Sequence, residues 1–221
     1  MTSEEWILKY KERGALWTHD GNEKRPHALL TSGNHSNAFI NSEQVLEDPA
    51  LLDDACRDLL TLLVEHGLDI EEVDRVVGPA MGAITMAHDM ARHIGRARSR
   101  PCLRAYTEKE MEDGVVARMV FKRTELAQGE RVLVVEDVFN TGGSVERTAQ
   151  AIIKAGGVVV PFSVVLLNRS GHTEFDGRKI VALIEYPMAI WAPDACPLCA
   201  QGSEVLLPKQ KENWERLNAS Y

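Results

Sequence analysis

The stretch from Arg131 to Ala155 constrains the fold more than any other part of this chain. It opens with Val132, Leu133, Val134 and Val135 in unbroken succession, then places Glu136 and Asp137 side by side, passes through Asn140-Thr141-Gly142-Gly143-Ser144, and ends in an amphipathic run. A continuous β-branched and apolar run is what a strand needs when both of its faces are covered, so this segment predicts a central strand of a parallel sheet. The rest of the chain agrees, because apolar runs at Val73–Gly78, Arg104–Glu108, Val116–Phe121, Val158–Leu167 and Lys179–Tyr186 alternate with helical patterns at Ile84–Ile94 and Ser144–Ala155. The fold class expected is α/β: a central, mainly parallel sheet flanked by helices. Asp48-Pro49 starts a further helix whose apolar face carries Leu51, Leu52, Ala55, Leu59, Leu62 and Leu63, with Gly67 ending it.

Three segments are expected. Residues 1–47 read as an amino-terminal lobe, in which Trp6, Ile7, Tyr10, Ala15 and Leu16 suggest one amphipathic helix and residues 28–41 suggest two strands around a turn at Gly33. Residues 48–186 form the core, and residues 187–221, with no clear period, form a tail packing with the lobe. A net charge of −8 argues against a general nucleic-acid binder, which needs clustered Lys and Arg. No apolar run approaches a membrane span, and the charged start MTSEEWILKYKERG does not read as a leader, so a cytoplasmic protein is expected.

In an open α/β sheet, ligands bind at the carboxyl ends of the strands. Gly142 and Gly143 free the backbone there to approach a ligand, the helix that follows offers its positive end, and Thr141 and Ser144 add hydroxyls, which together make a phosphate cradle. Glu136 and Asp137 can accept hydrogen bonds from the paired hydroxyls of a ribose and stabilise positive charge developing at its anomeric carbon.

VLVVEDVFNTGGS resembles the 13-residue signature of the type I phosphoribosyltransferases, which bind 5-phosphoribosyl-1-pyrophosphate (PRPP). LLTSGNHSNAFIN, VVGPAMGAI and CPLCAQG are similar to segments of the orotate-specific branch, so that the likeness runs from about Ala28 to Gly202. The resemblance implies that Glu136 and Asp137 hold the ribose, that Asn140, Thr141, Gly142, Gly143 and Ser144 wrap the 5′-phosphate, and that Pro79, Ala80, Met81 and Gly82 line the pyrophosphate. It assigns Lys109 and Asp137 to catalysis, places Phe39, Ile40, Thr141 and Arg169 around the base, and implies a loop at residues 109–118 that closes over the site. It also implies a homodimer and Mg²⁺ carried mainly by PRPP itself, with no metal held mainly by protein side chains. The activity implied is phosphoribosyl transfer to orotate; transfer to another nucleobase and a non-catalytic PRPP or nucleotide sensor stay open.

Several residues depart from the family pattern. Thr31 and Asn34 stand where relatives have Lys and Arg, and Gly82 where many have Lys. Glu108, Glu110, Glu112 and Asp113 crowd the loop around Lys109, and should repel a polyanion unless Arg104, Arg118, Lys122 or Arg123 offsets them. Cys196 and Cys199 form Cys-x-x-Cys, but a structural zinc site needs about four ligands and no second pair lies at suitable spacing. A tail motif packed in the lobe or between subunits is the reading preferred, with His172 and Cys56 as the further ligands a zinc site would draw on. His35 is read either as a ligand contact in the base-binding segment or as a polar turn residue, and His88 and His93 as surface or packing residues.

Overall fold

The computed structural model describes residues 1–30 and 32–221, so the Thr31 departure lies outside the described residues. In chain order, the first elements are α1 (Ser3–Glu12), β1 (Leu16–Thr18), β2 (His27–Leu29), β3 (His35–Ser36), β4 (Ala38–Ile40) and α2 (Glu43–Leu46). The middle of the chain gives α3 (Pro49–Glu65), β5 (Arg75–Pro79), α4 (Ala83–Ala97), β6 (Leu103–Glu112), β7 (Val115–Val120), β8 (Arg131–Phe139), α5 (Gly143–Lys154), β9 (Val158–Asn168), β10 (Glu174–Phe175) and β11 (Arg178–Glu185). The last part gives β12 (Ile190–Trp191), α6 (Pro197–Ala200), β13 (Val205–Leu206) and α7 (Lys211–Leu217). Two compact units result: unit 1 comprises Met1–Trp6 and Val45–Tyr186, and unit 2 comprises Ile7–Gln44 and Pro187–Tyr221.

Unit 1 holds a seven-stranded sheet in the order β10-β11-β9-β8-β5-β6-β7, with β8 in the middle. The pairs from β11 to β6 are parallel, and only β7 and β10 run antiparallel, at the two edges. Val132 and Val134 join Val145 and Ile152 of α5 in one core cluster, while Leu133 and Val135, equally inaccessible to solvent, point to the opposite face by the alternation of a strand. That second face is covered by α4, which packs on β5, β6 and β8 and against α3. The sheet is therefore sandwiched between helices, as the unbroken apolar run of β8 requires.

The ends of the helices follow local chemistry. Asp48 accepts from the main-chain N–H groups of Ala50 and Leu51, and Pro49 occupies the first turn of α3. Two readings of helix faces need correction. In the first segment, α1 stops at Glu12, Gly14 takes a positive φ of 66°, and Leu16 belongs to β1 rather than to the helix. On α5 the expected apolar stripe of Val145, Ala149, Ile152 and Ile153 gives way to Val145, Thr148, Ala149, Ala151 and Ile152, because Ile153 is exposed.

Unit 2 is built from short strands. A two-stranded sheet pairs β1 with β4, and a four-stranded sheet runs β12-β3-β2-β13, joining the tail to the β2–β3 hairpin. Trp17, Ala28, Leu30, Phe39, Leu206 and Leu217 form its core, with Trp214 packed against them. The tail without sequence period thus carries two strands and two helices, each too short to show one.

A buried ion pair ties the start of β8 to β5. Arg75 Nε lies 2.8 Å from Glu130 Oε1, both side chains are nearly inaccessible, and the other carboxylate oxygen of Glu130 accepts from the Ala127 N–H at 2.9 Å. Removing one partner leaves the other charge buried and unpaired. Glu130→Ala should therefore lower the unfolding free energy by about 3–5 kcal/mol, measured by urea denaturation.

Candidate active site

The carboxyl ends of β5 and β8 each run directly into a helix, and the two turns form the site. After β8, Gly142 adopts a φ of 81° and α5 begins at Gly143 with no side-chain cap. The first bond into the helix runs from Glu146 N to Gly142 O at 2.8 Å, so the N–H groups of residues 143–145 are those that a helix leaves without an intrahelical partner. Here the helix end stays open, whereas Asp48 closes the end of α3. A cavity of about 170 Å³ lies over it, lined by Glu136, Asn140, Thr141, Gly143, Ser144 and Arg147 among others. That is below the roughly 300–1,000 Å³ of sites for drug-sized ligands and suits an anionic group such as phosphate.

Two details differ from the sequence expectation. Gly142 is required by packing as much as by ligand approach, because a Cβ there would sit 2.5 Å from the Phe175 ring, which also meets Phe139 edge-on at 5.4 Å. Arg147 was not singled out from the sequence. One turn into α5, it folds its guanidinium back to 3.2 Å from where a Gly143 Cβ would stand, adding a cation to the cradle. Its place four residues after Gly143 was the signal available.

The second turn follows β5. Pro79 ends the strand, the Ala80–Met81 peptide is cis, Ala80 N donates to Thr107 O at 2.7 Å, and Met81 is exposed. Gly82 faces the carboxylate of Asp137: a Cβ at Gly82 would lie 3.0 Å from Asp137 Oδ2. The structure thus brings Pro79–Gly82, Glu136, Asp137 and Asn140–Ser144 together around two adjoining turns.

Glu136 is buried, and its Oε1 accepts from Asp137 N at 3.2 Å. Burial first, and then the neighbouring Asp137 charge, push its carboxyl well above the usual carboxylate range, while the charge of Lys109 acts in the opposite sense. Arg169, at the carboxyl end of β9, has Nε and Nη2 buried without a hydrogen-bond partner among the described residues, and burial lowers its pKa. An orphaned buried guanidinium is a standing demand for a planar anion.

Residues 109–118 do not form a loop. They extend β6 and β7 into a hairpin that turns at Asp113-Gly114, both with positive φ. Three of the hairpin's acids are met by bases from the return strand or just after it: Arg118 pairs with Glu110 and reaches Glu112 at 3.9 Å, while Lys122 and Arg123 reach Glu108 at 3.5 and 3.7 Å. Arg104 instead lies over the Tyr106 ring.

In unit 2, Phe39 is turned into the core edge-on to Trp214, 6.0 Å between ring centres, and Ile40 beside it is half-buried. His93 Nε2 donates to Asp53 Oδ1 at 2.9 Å, a packing role, and His88 lies on α4 beside Asp89 in sequence. His35 is no turn residue facing a ligand. It is buried in β3 beside His27, Cys196 and Cys199, while Cys56 is buried against Met86 O and His172 is exposed after β9.

The family described as phosphoribosyl transferase domain matches residues 41–198. The chain belongs to the phosphoribosyltransferase family. It is 36% identical to an orotate phosphoribosyltransferase of Acidithiobacillus ferrooxidans over 210 residues, 94% of this chain and 97% of that protein. A second orotate phosphoribosyltransferase, from Caldicellulosiruptor saccharolyticus, is 33% identical across 96% of this chain and 99% of its own length. Among solved phosphoribosyltransferase structures, the orotate enzyme of Aeropyrum pernix superposes with a TM-score of 0.60 at 27% identity, covering 80% of this chain and 92% of that one. An adenine phosphoribosyltransferase from Thermoanaerobacter pseudethanolicus shares the fold with a TM-score of 0.53 at 22% identity over 67% of this chain and 88% of its own.

The raised pKa of Glu136 fixes a pH dependence in the ligand-free protein. An unfolded Glu releases its proton near pH 4.3, while the folded carboxyl holds it to higher pH. Between those values the unfolded chain binds fewer protons, so stability falls as pH rises and levels off above the folded pKa. Glu136→Gln should remove this fall, its stability gain over the parent growing from pH 4 upward in a series of urea melts.

Proposed function

We propose that this chain transfers the phosphoribosyl group of PRPP to orotate, giving orotidine 5′-monophosphate and pyrophosphate. The observation that carries the reading is the uncapped, Gly-initiated end of α5 beneath a phosphate-sized cavity, with Glu136 and Asp137 on the strand that delivers it. In this reading residues 140–144 and Arg147 hold the 5′-phosphate, and Asp137 and Glu136 accept from the ribose hydroxyls. Residues 79–82 cradle the pyrophosphate with main-chain groups. The bond from the anomeric carbon to pyrophosphate breaks, its electron pair leaving with the pyrophosphate, as a ring nitrogen of orotate bonds to that carbon and loses its proton. Positive charge building on the ribose is stabilised by the carboxylates, and orientation supplies the remainder.

Lys109 is assigned to the departing pyrophosphate. Its acidic neighbours lose much of their field to Arg118, Lys122 and Arg123, which supports turnover despite the acidic sequence. Thr141 and Arg169 are assigned to the base, with the unpartnered guanidinium of Arg169 pairing the orotate carboxylate. Mg²⁺ would be carried mainly by PRPP itself, where it would neutralise phosphate charge, with the half-buried Asp137 carboxylate as an oxygen donor within reach of the turn at Gly82. No helix among the described residues is long and apolar enough to cross a membrane, and a cytoplasmic homodimer belongs to the same reading.

The test is the loss of orotate absorbance on adding PRPP and Mg²⁺. Steady loss is expected, abolished by Asp137→Asn. Arg169→Gln should raise the KM for orotate about thirtyfold or more, since truncating one partner of a buried charged pair costs about 2–5 kcal/mol, while the KM for PRPP stays within a few-fold. Turnover of another nucleobase with none of orotate would overturn the choice of acceptor, and PRPP binding without turnover of any base would make the chain a sensor.

A further inference from the structure

Four side chains in unit 2 converge far from the phosphate-binding turns in sequence. The ligating atoms of His27, His35, Cys196 and Cys199 all lie within 4.8 Å of one another. His27 Nε2 is 3.2 Å from His35 Nδ1 and 3.5 Å from the sulfurs of both Cys196 and Cys199, and Cys199 Sγ is 3.2 Å from His35 Nδ1. We infer that this cluster is a structural zinc site, with two imidazole nitrogens and two thiolates as its ligands.

The distances suit a tetrahedral centre. Zn–N bonds of about 2.05 Å and Zn–S bonds of about 2.3 Å require edges of about 3.3 Å between nitrogens and about 3.5 Å between nitrogen and sulfur. Three of the observed edges fall close to these values, and the fourth, Cys199 Sγ to His35 Nδ1 at 3.2 Å, is the shorter.

The protonation pattern points the same way. Ser203 Oγ donates its single proton to Arg25 O at 2.6 Å, so it accepts from His27 Nδ1–H at 2.9 Å. That fixes the tautomer and leaves one lone pair on Nε2 directed at the centre, the arrangement by which an outer partner orients a metal-binding His. Three groups, His35 and both thiols, crowd that one lone pair. Hydrogen bonds can satisfy only one of them well, whereas a cation at the centre takes all four donors. Three of the four side chains are buried, and the soft and borderline donor set, tetrahedral S₂N₂, selects zinc over Mg²⁺ or Ca²⁺.

The backbone explains how residues so far apart meet. His27 and His35 are diagonal neighbours on one face of the β2–β3 hairpin, β12 pairs with β3 at Trp191 and His35, and β13 pairs with β2 at Val205 and His27. The turn bearing both cysteines hangs between β12 and β13. Strands of two or three residues gain little from pairing alone, and a metal that ties tail to hairpin supplies what so small a core lacks.

Full-length protein purified without chelators should carry about one zinc per chain by elemental analysis. Cobalt(II) titrated into the zinc-stripped protein should give the intense visible bands of a tetrahedral site and a near-ultraviolet thiolate charge-transfer band. Cys199→Ser should lower zinc retention against a competing chelator at least about tenfold, and Cys56→Ser should leave it unchanged. Protein that is metal-free as purified and shows no tetrahedral cobalt spectrum would overturn the assignment, whatever the folding of the variants. So would full zinc retention by Cys199→Ser.

Discussion

The strand β8 is inaccessible on both faces from Val132 to Val135, and much else follows from that burial. A strand so covered must lie inside the sheet, with helices above and below and parallel neighbours on either side. Its polar residues can emerge only where it leaves the sandwich, which is where Glu136 and Asp137 stand. Arg75 and Glu130 secure the other end of the strand, so its carboxyl end is held in a fixed relation to β5 and the turn at Gly82. The site is therefore the mouth of the core. Its carboxylates sit at the boundary of low polarity, which is why burial raises Glu136 so far.

Much of unit 1 was legible because its signals are local. A run of four apolar residues, an Asp-Pro helix start and a Thr-Gly-Gly-Ser turn each state their own conformation within a few positions, and the alternation of strand and helix restricts the topology. What escaped the sequence depended on partners distant along the chain. Phe175 explains Gly142, yet nothing near Phe175 announces it. The cysteines at 196 and 199 lacked a visible second pair because the histidines that join them come from a hairpin some 160 residues earlier, at a spacing set by strand register and not by a compact motif. The hairpin at residues 109–118 was misread as a loop because its charged residues hide the alternation, although Asp113-Gly114 is a strong two-residue turn signal.

That hairpin also shows how sequence charge can mislead. A count along residues 108–113 is acidic, but antiparallel pairing sets Glu110 opposite Arg118 and brings Lys122 and Arg123 back to Glu108. These are exposed pairs, which contribute little to stability. Their effect is on the local field, where the three cations offset acids that would otherwise face a polyanion.

Unit 2 is made from two stretches of chain with the whole of residues 45–186 between them. During synthesis its first stretch emerges with half a sheet and the two clustered histidines, His27 and His35, and must wait for the second. At about 5–20 residues per second that wait is on the order of ten seconds. Unit 1, contiguous apart from its first six residues, has all its strands available before β12 and β13 exist. The order of assembly is thus written into the order of the elements: the sheet that carries the carboxylates can close first, and the lobe is completed last, when the tail reaches the hairpin.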